Sequence, residues 1–188
     1  MWFLFGKIYQ LISMKIKICL VIVVFSLLAF VSCGKIDTLP EEPRIEYTSF
    51  TVFDTIDLLG NIVKGGRLKF YFEDGDGNVG LDPPSAEEGG SLDSINLFMT
   101  LYRMNDGSIS PAADDDPMKP TGYRIPYMER TGQNKILKGD ISVVFMYLFC
   151  SEEDSIRYDF YIKDRAENLS NIASTGVIPL FYNGIYEE

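Results

Sequence analysis

The chain of 188 residues contains no histidine, and this absence excludes more chemistry than any other feature of its composition. Histidine is the commonest general base and the commonest transition-metal ligand in proteins. Ser-His-Asp and Cys-His catalysis are therefore excluded, and a conventional zinc site is close to excluded. Hydrolysis by a pair of carboxylates is the one general catalytic mechanism that stays open without histidine.

Cysteine is nearly as scarce, with only Cys19, Cys33 and Cys150 in the chain. The first two lie in an amino-terminal segment described below, so one thiol is left for the body of the protein and no internal disulfide can form there. Cys150 ends the apolar run 143–149 and is followed by acidic residues. Because a reactive thiol needs a cationic neighbourhood, this context predicts a buried, unreactive cysteine.

Positive charge is also in short supply, with 17 basic against 27 acidic side chains. Three of the basic residues and none of the acidic ones precede Cys33, so the remainder carries 14 basic against 27 acidic side chains and a formal charge of −13. Such a surface repels nucleic acid and anionic lipid head groups, which excludes nucleic acid as a partner. Divalent cations and basic partners are compatible with it.

Long apolar runs are confined to the amino terminus. Residues 18–31 are almost entirely apolar, follow Lys15 and Lys17, and end in small residues. A charged segment, an apolar segment and a small-residue cleavage site are typical of a secretory signal peptide. The run is shorter than the about 20 residues of a spanning helix, and an uncleaved anchor would bury both lysines at about 2.5–3.5 kcal/mol each. We therefore predict a helical signal peptide over 1–32, with Met14 as the working start.

The end of this segment resembles the lipobox of Bacteroidota-type lipoproteins. Residues 30–34 read Phe-Val-Ser-Cys-Gly. The resemblance implies diacylation of the Cys33 thiol, cleavage before Cys33 and acylation of the new amine, and several acyl chains give stable anchoring. Gly34, where an aspartate would suggest retention in the inner membrane, favours the outer membrane. The implied location is its periplasmic face or the cell surface.

After a tether predicted over 33–44, apolar residues alternate with polar ones at a period of two. The alternation is clearest at 156–163 and recurs at 45–53, 67–73 and 95–103. Turn clusters rich in Gly, Asn and Asp separate these stretches, and no stretch shows a helical stripe. The pattern predicts one all-β domain over 45–188, an antiparallel β-sandwich of about seven strands. Residues 141–149, apolar on both faces, are predicted as its central strand.

One turn carries metal-binding chemistry. Residues 74–82 read Asp-Gly-Asp-Gly-Asn-Val-Gly-Leu-Asp, with oxygen-bearing side chains in a glycine-rich loop. Ca²⁺ takes six to eight oxygen ligands, and the candidate ligands are Asp74, Asp76, Asn78 and Asp82. The loop is not an EF-hand, because a valine replaces the turn glycine and no helices flank it. A metal-free turn is the simpler interpretation, since Gly adopts positive φ and Asp and Asn bond to their own backbone; both stay open.

A second polar segment precedes the last strands. Residues 164–170, Asp-Arg-Ala-Glu-Asn-Leu-Ser, resemble the Asp-x-Ala-Gly-Asn-x-Ser corner of bacterial Ig-like and fibronectin-III-like domains, with Glu167 in the place of the usual glycine. Together the two motifs resemble those of uncharacterised outer-membrane lipoproteins of the same kind. The resemblance implies an Ig-like sandwich with a structural corner at Asp164, Arg165 and Asn168. It implies no activity.

The sequence therefore predicts a lipid-anchored cell-envelope binding or scaffolding module without catalytic activity. Its predicted partners are the membrane, through the lipid on Cys33, and an envelope protein or polysaccharide bound by loops on the rigid sandwich. The one cofactor candidate is Ca²⁺. The alternative is a carboxylate-dependent, glycosidase-type envelope hydrolase, which requires two carboxylates roughly 5–9.5 Å apart in a cleft.

Overall fold

The computed structural model describes residues 16–17, 39–82, 95–105, 107–120, 122–129 and 135–187. The chain forms two compact units, Met1–Asp37 and Thr38–Glu188. In the first unit only Ile16 and Lys17 are described, both in helical conformation. The predicted cleavage site and Cys33 lie outside the described residues. Within the described ranges, no helix has the length and apolar character needed to cross a bilayer.

The second unit is all-β, as the period-two alternation predicts. Its described residues form nine strands: β1 Arg44–Ile56, β2 Ile62–Asp74, β3 Leu97–Asn105, β4 Ser108–Pro111, β5 Leu137–Tyr147, β6 Ser155–Ile162, β7 Ala173–Ser174, β8 Ile178–Pro179 and β9 Gly184–Glu187. All pairings between these strands are antiparallel. One sheet has the order β5-β2-β1-β9, and the other has the order β4-β3-β6-β7 with β8 also paired to β6. The predicted antiparallel sandwich is confirmed.

The strand count exceeds seven because the end of the chain is divided into short pieces. β7 and β8 both pair with β6, but residues 175–177 between them are not in a strand. There the Thr175 hydroxyl, instead of a backbone carbonyl, accepts the hydrogen bond from the Tyr158 N–H at 3.0 Å. A side-chain acceptor replaces one rung of the ladder and interrupts the strand.

The core fills the space between the two sheets. Phe50, Phe70, Tyr158 and Phe160 are among its fully buried side chains. The ring of Phe145 stacks at 5.9 Å from Phe50 and 5.5 Å from Tyr158, between centroids. Offset aromatic stacking of this kind adds to the stabilisation from apolar burial. Stacked aromatic side chains therefore fill this part of the interior between the two sheets.

β5 contains most of the predicted central strand, residues 141–149, but it is not central in its sheet. In the described part of the chain it pairs with β2 only and forms the edge of its sheet. Phe145 and Tyr147 point into the core, whereas Val144 and Met146 are 56% and 50% exposed. No layer of the described fold covers the outer face, so the second apolar face of β5 is surface.

The β1–β2 hairpin defines two opposite ends of the domain. Its ladder runs from Arg44↔Glu73 to Ile56↔Ile62, and strands of 13 residues span about 40 Å. At one end, the Pro40 carbonyl accepts a hydrogen bond from the Gly75 N–H at 2.9 Å. We call this end of the domain the tether end. Pro40, which the sequence predicts to be part of the tether, is hydrogen-bonded to the domain there. The turn 57–61 forms the opposite end.

Candidate functional site

An acidic cluster lies at the tether end, where Asp74, Asp76 and Asp164 each place one carboxylate oxygen within 4.8 Å of the others. Asp74 ends β2 and Asp76 follows it, whereas Asp164 comes just after β6 in the other sheet. Asp74 and Asp164 are each only 1% exposed. The fold thus joins the two motifs that the sequence presents separately.

Asp74 shapes the loop that carries two of these carboxylates. Its Oδ2 accepts hydrogen bonds from the backbone N–H groups of Asn78 at 2.7 Å and Val79 at 3.0 Å. Val79 is fully buried and anchors the loop in the core. A Cβ on Gly75 would collide with the Pro40 carbonyl, and Gly77 has a φ of 66°, in the region that favours glycine. These backbone requirements explain the glycine content of the loop.

Asn168 positions the third carboxylate. Its backbone N–H and its side-chain Nδ2 donate to the two oxygens of Asp164, at 2.8 Å and 2.9 Å. The Asp164 N–H in turn donates a hydrogen bond to the Asn168 carbonyl at 3.0 Å. Glu167 has a φ of 71°, the one positive φ among the described non-glycine residues. A glycine would adopt this conformation without the strain that a side chain brings.

Arg165 connects the corner to the Asp74 loop. Its Nη1 donates to the Gly80 carbonyl at 2.9 Å, and its guanidinium lies 4.9 Å from the centre of the Tyr127 ring. The Arg165 N–H also donates to the Asn78 carbonyl at 3.4 Å. The predicted structural corner therefore has two parts: Asn168 orients Asp164, and Arg165 holds the two loops together.

Two buried oxygens of the cluster have no hydrogen-bond donor. They are Asp74 Oδ1 and Asn78 Oδ1. The Asn78 side chain points toward Asp76, because its Nδ2 donates to Asp76 Oδ2 at 2.6 Å. Burial raises the pKa of Asp74 to about 6, with a further increase from Asp76, although hydrogen bonds from Val79 and Asn78 oppose it. The cluster thus concentrates negative charge and unsatisfied oxygens in one shielded place.

The structure groups the predicted ligands differently from the sequence. Asp82 is exposed and does not belong to the cluster of carboxylates. Asp164, predicted only as part of a structural corner, takes a place beside Asp74 and Asp76. The sequence contains one indication of this grouping: Asp74 and Asp164 each come directly after a stretch in which apolar and polar residues alternate. Oxygen donors without nitrogen or sulfur suit a hard cation such as Ca²⁺.

A second polar feature is a cleft of about 340 Å³. Arg103 lies in it and donates through Nε and Nη2 to both oxygens of Asp116, at 2.8 Å and 2.9 Å, and through Nη1 to Asp154 at 2.8 Å. The hydrogen bond from Arg103 holds the pKa of Asp116 below its usual range. The other lining residues are Met104, Ser151, Glu153 and Ser155. The sequence did not identify this Arg103 cleft, because its charges come from separate strands and loops.

Cys150 lies close to this cleft without being part of its lining. The thiol is free and half-buried, and its side chain packs against the core. Burial, with a contribution from Asp154, raises the pKa of the Cys150 thiol. A raised pKa leaves little thiolate at neutral pH. The sequence predicts a buried thiol, whereas the structure leaves it half-buried.

A third feature is an apolar tip at the end opposite the acidic cluster. It consists of Ile56, Leu58, Leu59, Ile62, Leu148 and Phe149. Leu58 and Leu59 are 104% and 86% exposed, in the turn between β1 and β2. Side-chain hydrogen bonds hold the turn, because Asp57 Oδ1 accepts from the N–H groups of Leu59 and Asn61 at 2.9 Å and 2.8 Å. The β2–β5 ladder ends at Lys64↔Tyr147, so Leu148 and Phe149 leave β5 at this same end.

The chain was compared with protein-family models, with curated proteins and with solved structures, and none of them matches it at a significant level. The acidic cluster, the Arg103 cleft and the apolar tip are therefore interpreted from their own geometry. Each feature has a different chemistry: clustered carboxylates, an ion-pair network around one arginine, and exposed apolar side chains.

Proposed function

We propose that this protein is a binding or scaffolding module of the bacterial cell envelope, anchored by lipid on Cys33 and without catalytic activity. The observation that carries the proposal is the position of the apolar tip. The chain joins the sandwich at the tether end, and the tip lies about 40 Å away along the 13-residue hairpin strands. Large exposed apolar side chains that gather at one end of a domain indicate a contact surface. The tethered domain would present that surface away from its point of attachment.

The chemistry of the tip favours a protein partner over a polysaccharide. Leu58 and Leu59 are aliphatic and largely exposed to solvent, so a partner that removes them from water gains free energy chiefly through the hydrophobic effect. Burying each of them in a partner would contribute about 1.5–3 kcal/mol. A polysaccharide chain, covered by hydroxyl groups, offers little apolar area for this purpose, whereas an apolar groove on an envelope protein does.

The strand order supports an Ig-like assignment of the sandwich. β1, β2 and β5 are neighbours in the order of Ig strands A, B and E, and β3, β6 and β7 follow the order C, F and G. Ig-like sandwiches commonly bind partners through the loops at one end of the fold. The apolar tip occupies such an end. Because this fold hosts many functions, the assignment supports the architecture and the tip supports the binding role.

Asp116 and Asp74 are poorly suited to the alternative function, a glycosidase-type hydrolase. Such an enzyme needs a general acid with a raised pKa, whereas the pKa of Asp116 in the Arg103 cleft is lowered by its ion pair. Asp74 has a raised pKa, but it is buried, and its Oδ2 is held by two backbone donors. With Asp74 only 1% exposed, little of its carboxylate is available to a substrate.

Two measurements in cells test the proposal. Metabolic labelling with an alkyne fatty acid should label the full chain and leave Cys33→Ala unlabelled and released from the membrane fraction. A photo-crosslinking amino acid in place of Leu58 should give a discrete adduct, and the same group in place of Thr100, which is exposed on β3, is the matched control. An unlabelled wild-type chain would refute the lipid anchor. Equal crosslinking at both positions would refute the contact surface.

A further inference from the structure

We propose that the acidic cluster is a Ca²⁺ site that joins the two sheets of the sandwich. Its ligands are side-chain oxygens from the loop after β2 and from the corner after β6, namely Asp74, Asp76, Asn78 and Asp164. The inference does not rest on the lipid anchor or on the apolar tip, since every ligand lies within the Thr38–Glu188 unit. It goes beyond the sequence-predicted loop, because the fourth ligand comes from the opposite sheet.

The unsatisfied oxygens are the evidence that something binds here. Asp74 is 1% exposed, and its Oδ1 has no hydrogen-bond partner, as is true of Asn78 Oδ1. Folded proteins pair nearly all buried polar atoms, so two orphaned oxygens in one loop require an explanation. Both atoms belong to side chains whose other polar atom is already held, Oδ2 of Asp74 by backbone donors and Nδ2 of Asn78 by Asp76. The side chains are therefore fixed with their free oxygens available to a ligand.

The separation of the carboxylates fits one cation. One oxygen from each aspartate lies within 4.8 Å of the others. Two oxygens bound to the same Ca²⁺ at 2.3–2.6 Å are at most about 5 Å apart. Carboxylates held this close repel each other in a buried site, and a divalent cation between them converts the repulsion into attraction.

The donor set selects Ca²⁺ among the common metals. It contains oxygen only, which disfavours the transition metals. Mg²⁺ demands near-ideal octahedral geometry, whereas Ca²⁺ tolerates irregular arrangements and completes its shell with water. Asp164 keeps its two hydrogen bonds from Asn168, and each carboxylate oxygen has a second lone pair for the metal. The hydrogen bonds from Asn168 thus orient Asp164, the one proposed ligand that does not come from the loop after β2.

Occupancy would stabilise the tether end of the domain. The loop contacts the Pro40 carbonyl through the Gly75 N–H, so a cation that fixes the loop also fixes the segment around Pro40. Extracellular Ca²⁺ modules bind with dissociation constants of about 10⁻⁴–10⁻³ M. A site of this class would fill in a calcium-rich environment outside the cytoplasm.

The test uses the full chain, purified in detergent and treated with a chelator to remove bound metal. Thermal melts in 10 mM CaCl₂, in 10 mM MgCl₂ and in chelator are compared, and CaCl₂ is titrated by calorimetry. If 10 mM is about a hundredfold above the dissociation constant, Ca²⁺ should raise Tm by about 5–10 °C. Mg²⁺ should raise it less, and calorimetry should give one site per chain. Superimposable melts together with no heat of binding would overturn the proposal.

Three variants identify the ligands. Asp164→Asn should lose the calcium-dependent rise in Tm, whereas Asp82→Asn, the matched control, should keep it. The reverse result would assign the site to the loop alone and overturn the proposal. Asp76→Asn leaves the backbone hydrogen bonds of Asp74 and the Asn168 bonds of Asp164 in place, so it should fold even if Asp164→Asn does not. A calcium titration of Asp76→Asn that matches the wild type would also overturn the proposal.

Discussion

Gly66→Ala should destabilise the domain, because β2 passes too close to the aromatic core for any side chain at this position. A Cβ on Gly66 would lie 2.5 Å from the Phe50 ring and 2.8 Å from the Tyr147 ring. Both rings are buried, so neither can move without displacing its neighbours. Overpacking of this kind costs about 1–3 kcal/mol, and the lower entropy of the unfolded alanine chain returns only about 0.4–1 kcal/mol. We expect a net loss of about 1–2 kcal/mol, or roughly 2–8 °C in Tm.

Gly65→Ala is the matched control, because its added Cβ points to the other face of the same strand. It would meet the ring of Phe53, at 2.6 Å, but that ring is only half-buried and can rotate toward solvent. The change in the free energy of unfolding should stay within about 0.5 kcal/mol. A double-mutant cycle of Gly66→Ala with Phe50→Leu should show a coupling of about 1 kcal/mol, because leucine lacks the outer ring atoms. Urea denaturation measures all of these variants; equal losses for the two glycines, or no coupling, would refute the steric explanation.

Three further predictions concern the corner, the cleft and the tip. Glu167→Gly should raise the free energy of unfolding by about 0.5 kcal/mol in urea, because a left-handed glutamate costs about 1–2 kcal/mol and the extra freedom of the unfolded glycine offsets part of the gain; a less stable variant would contradict this. The pKa of Asp116 is lowered by Arg103, so its stabilising contribution is complete above the unfolded pKa of about 3.9 and is lost as the pH falls through the folded value. Melts between about pH 5 and about pH 2 should show a steeper fall in stability for the wild type than for Asp116→Asn, and parallel curves would disprove the linkage. The double variant Leu58→Ser, Leu59→Ser should change stability by less than about 0.5 kcal/mol, since neither side chain is buried, yet abolish crosslinking from Phe149; a persistent adduct would exclude these leucines from the contact.

The acidic cluster illustrates how far a motif can be interpreted before its fold is known. The glycine-rich spacing of residues 74–82 indicates oxygen ligands, and Asp74 and Asp76 do lie together. The same spacing also favours Asp82, which the structure leaves exposed. Spacing predicts neighbours within a loop but not across the sandwich, so the sequence predicts Asp164 as part of a corner and not of a metal site. The Asp82→Asn and Asp164→Asn variants distinguish the ligand set predicted from the sequence from the ligand set proposed from the structure.

β5 shows a similar limit on how far an apolar pattern predicts burial. A strand that is apolar on both faces predicts burial on both faces. Val144 and Met146 nevertheless lie on the surface, because pairing decides which strand is at the edge and packing decides which face is covered. Both depend on contacts between residues distant in the chain, which local alternation does not encode.

The amino-acid sequence by itself determined the class of this protein. Period-two alternation and turn clusters are local properties, and they sufficed to predict an antiparallel all-β sandwich. Only the tertiary structure decided that Asp164 lies beside Asp74, that Arg103 neutralises Asp116, and that Leu58 lies opposite the tether end. The physical reason is that alternation specifies the faces of each strand, whereas the pairing order of the strands determines which loops meet at each end of the sandwich.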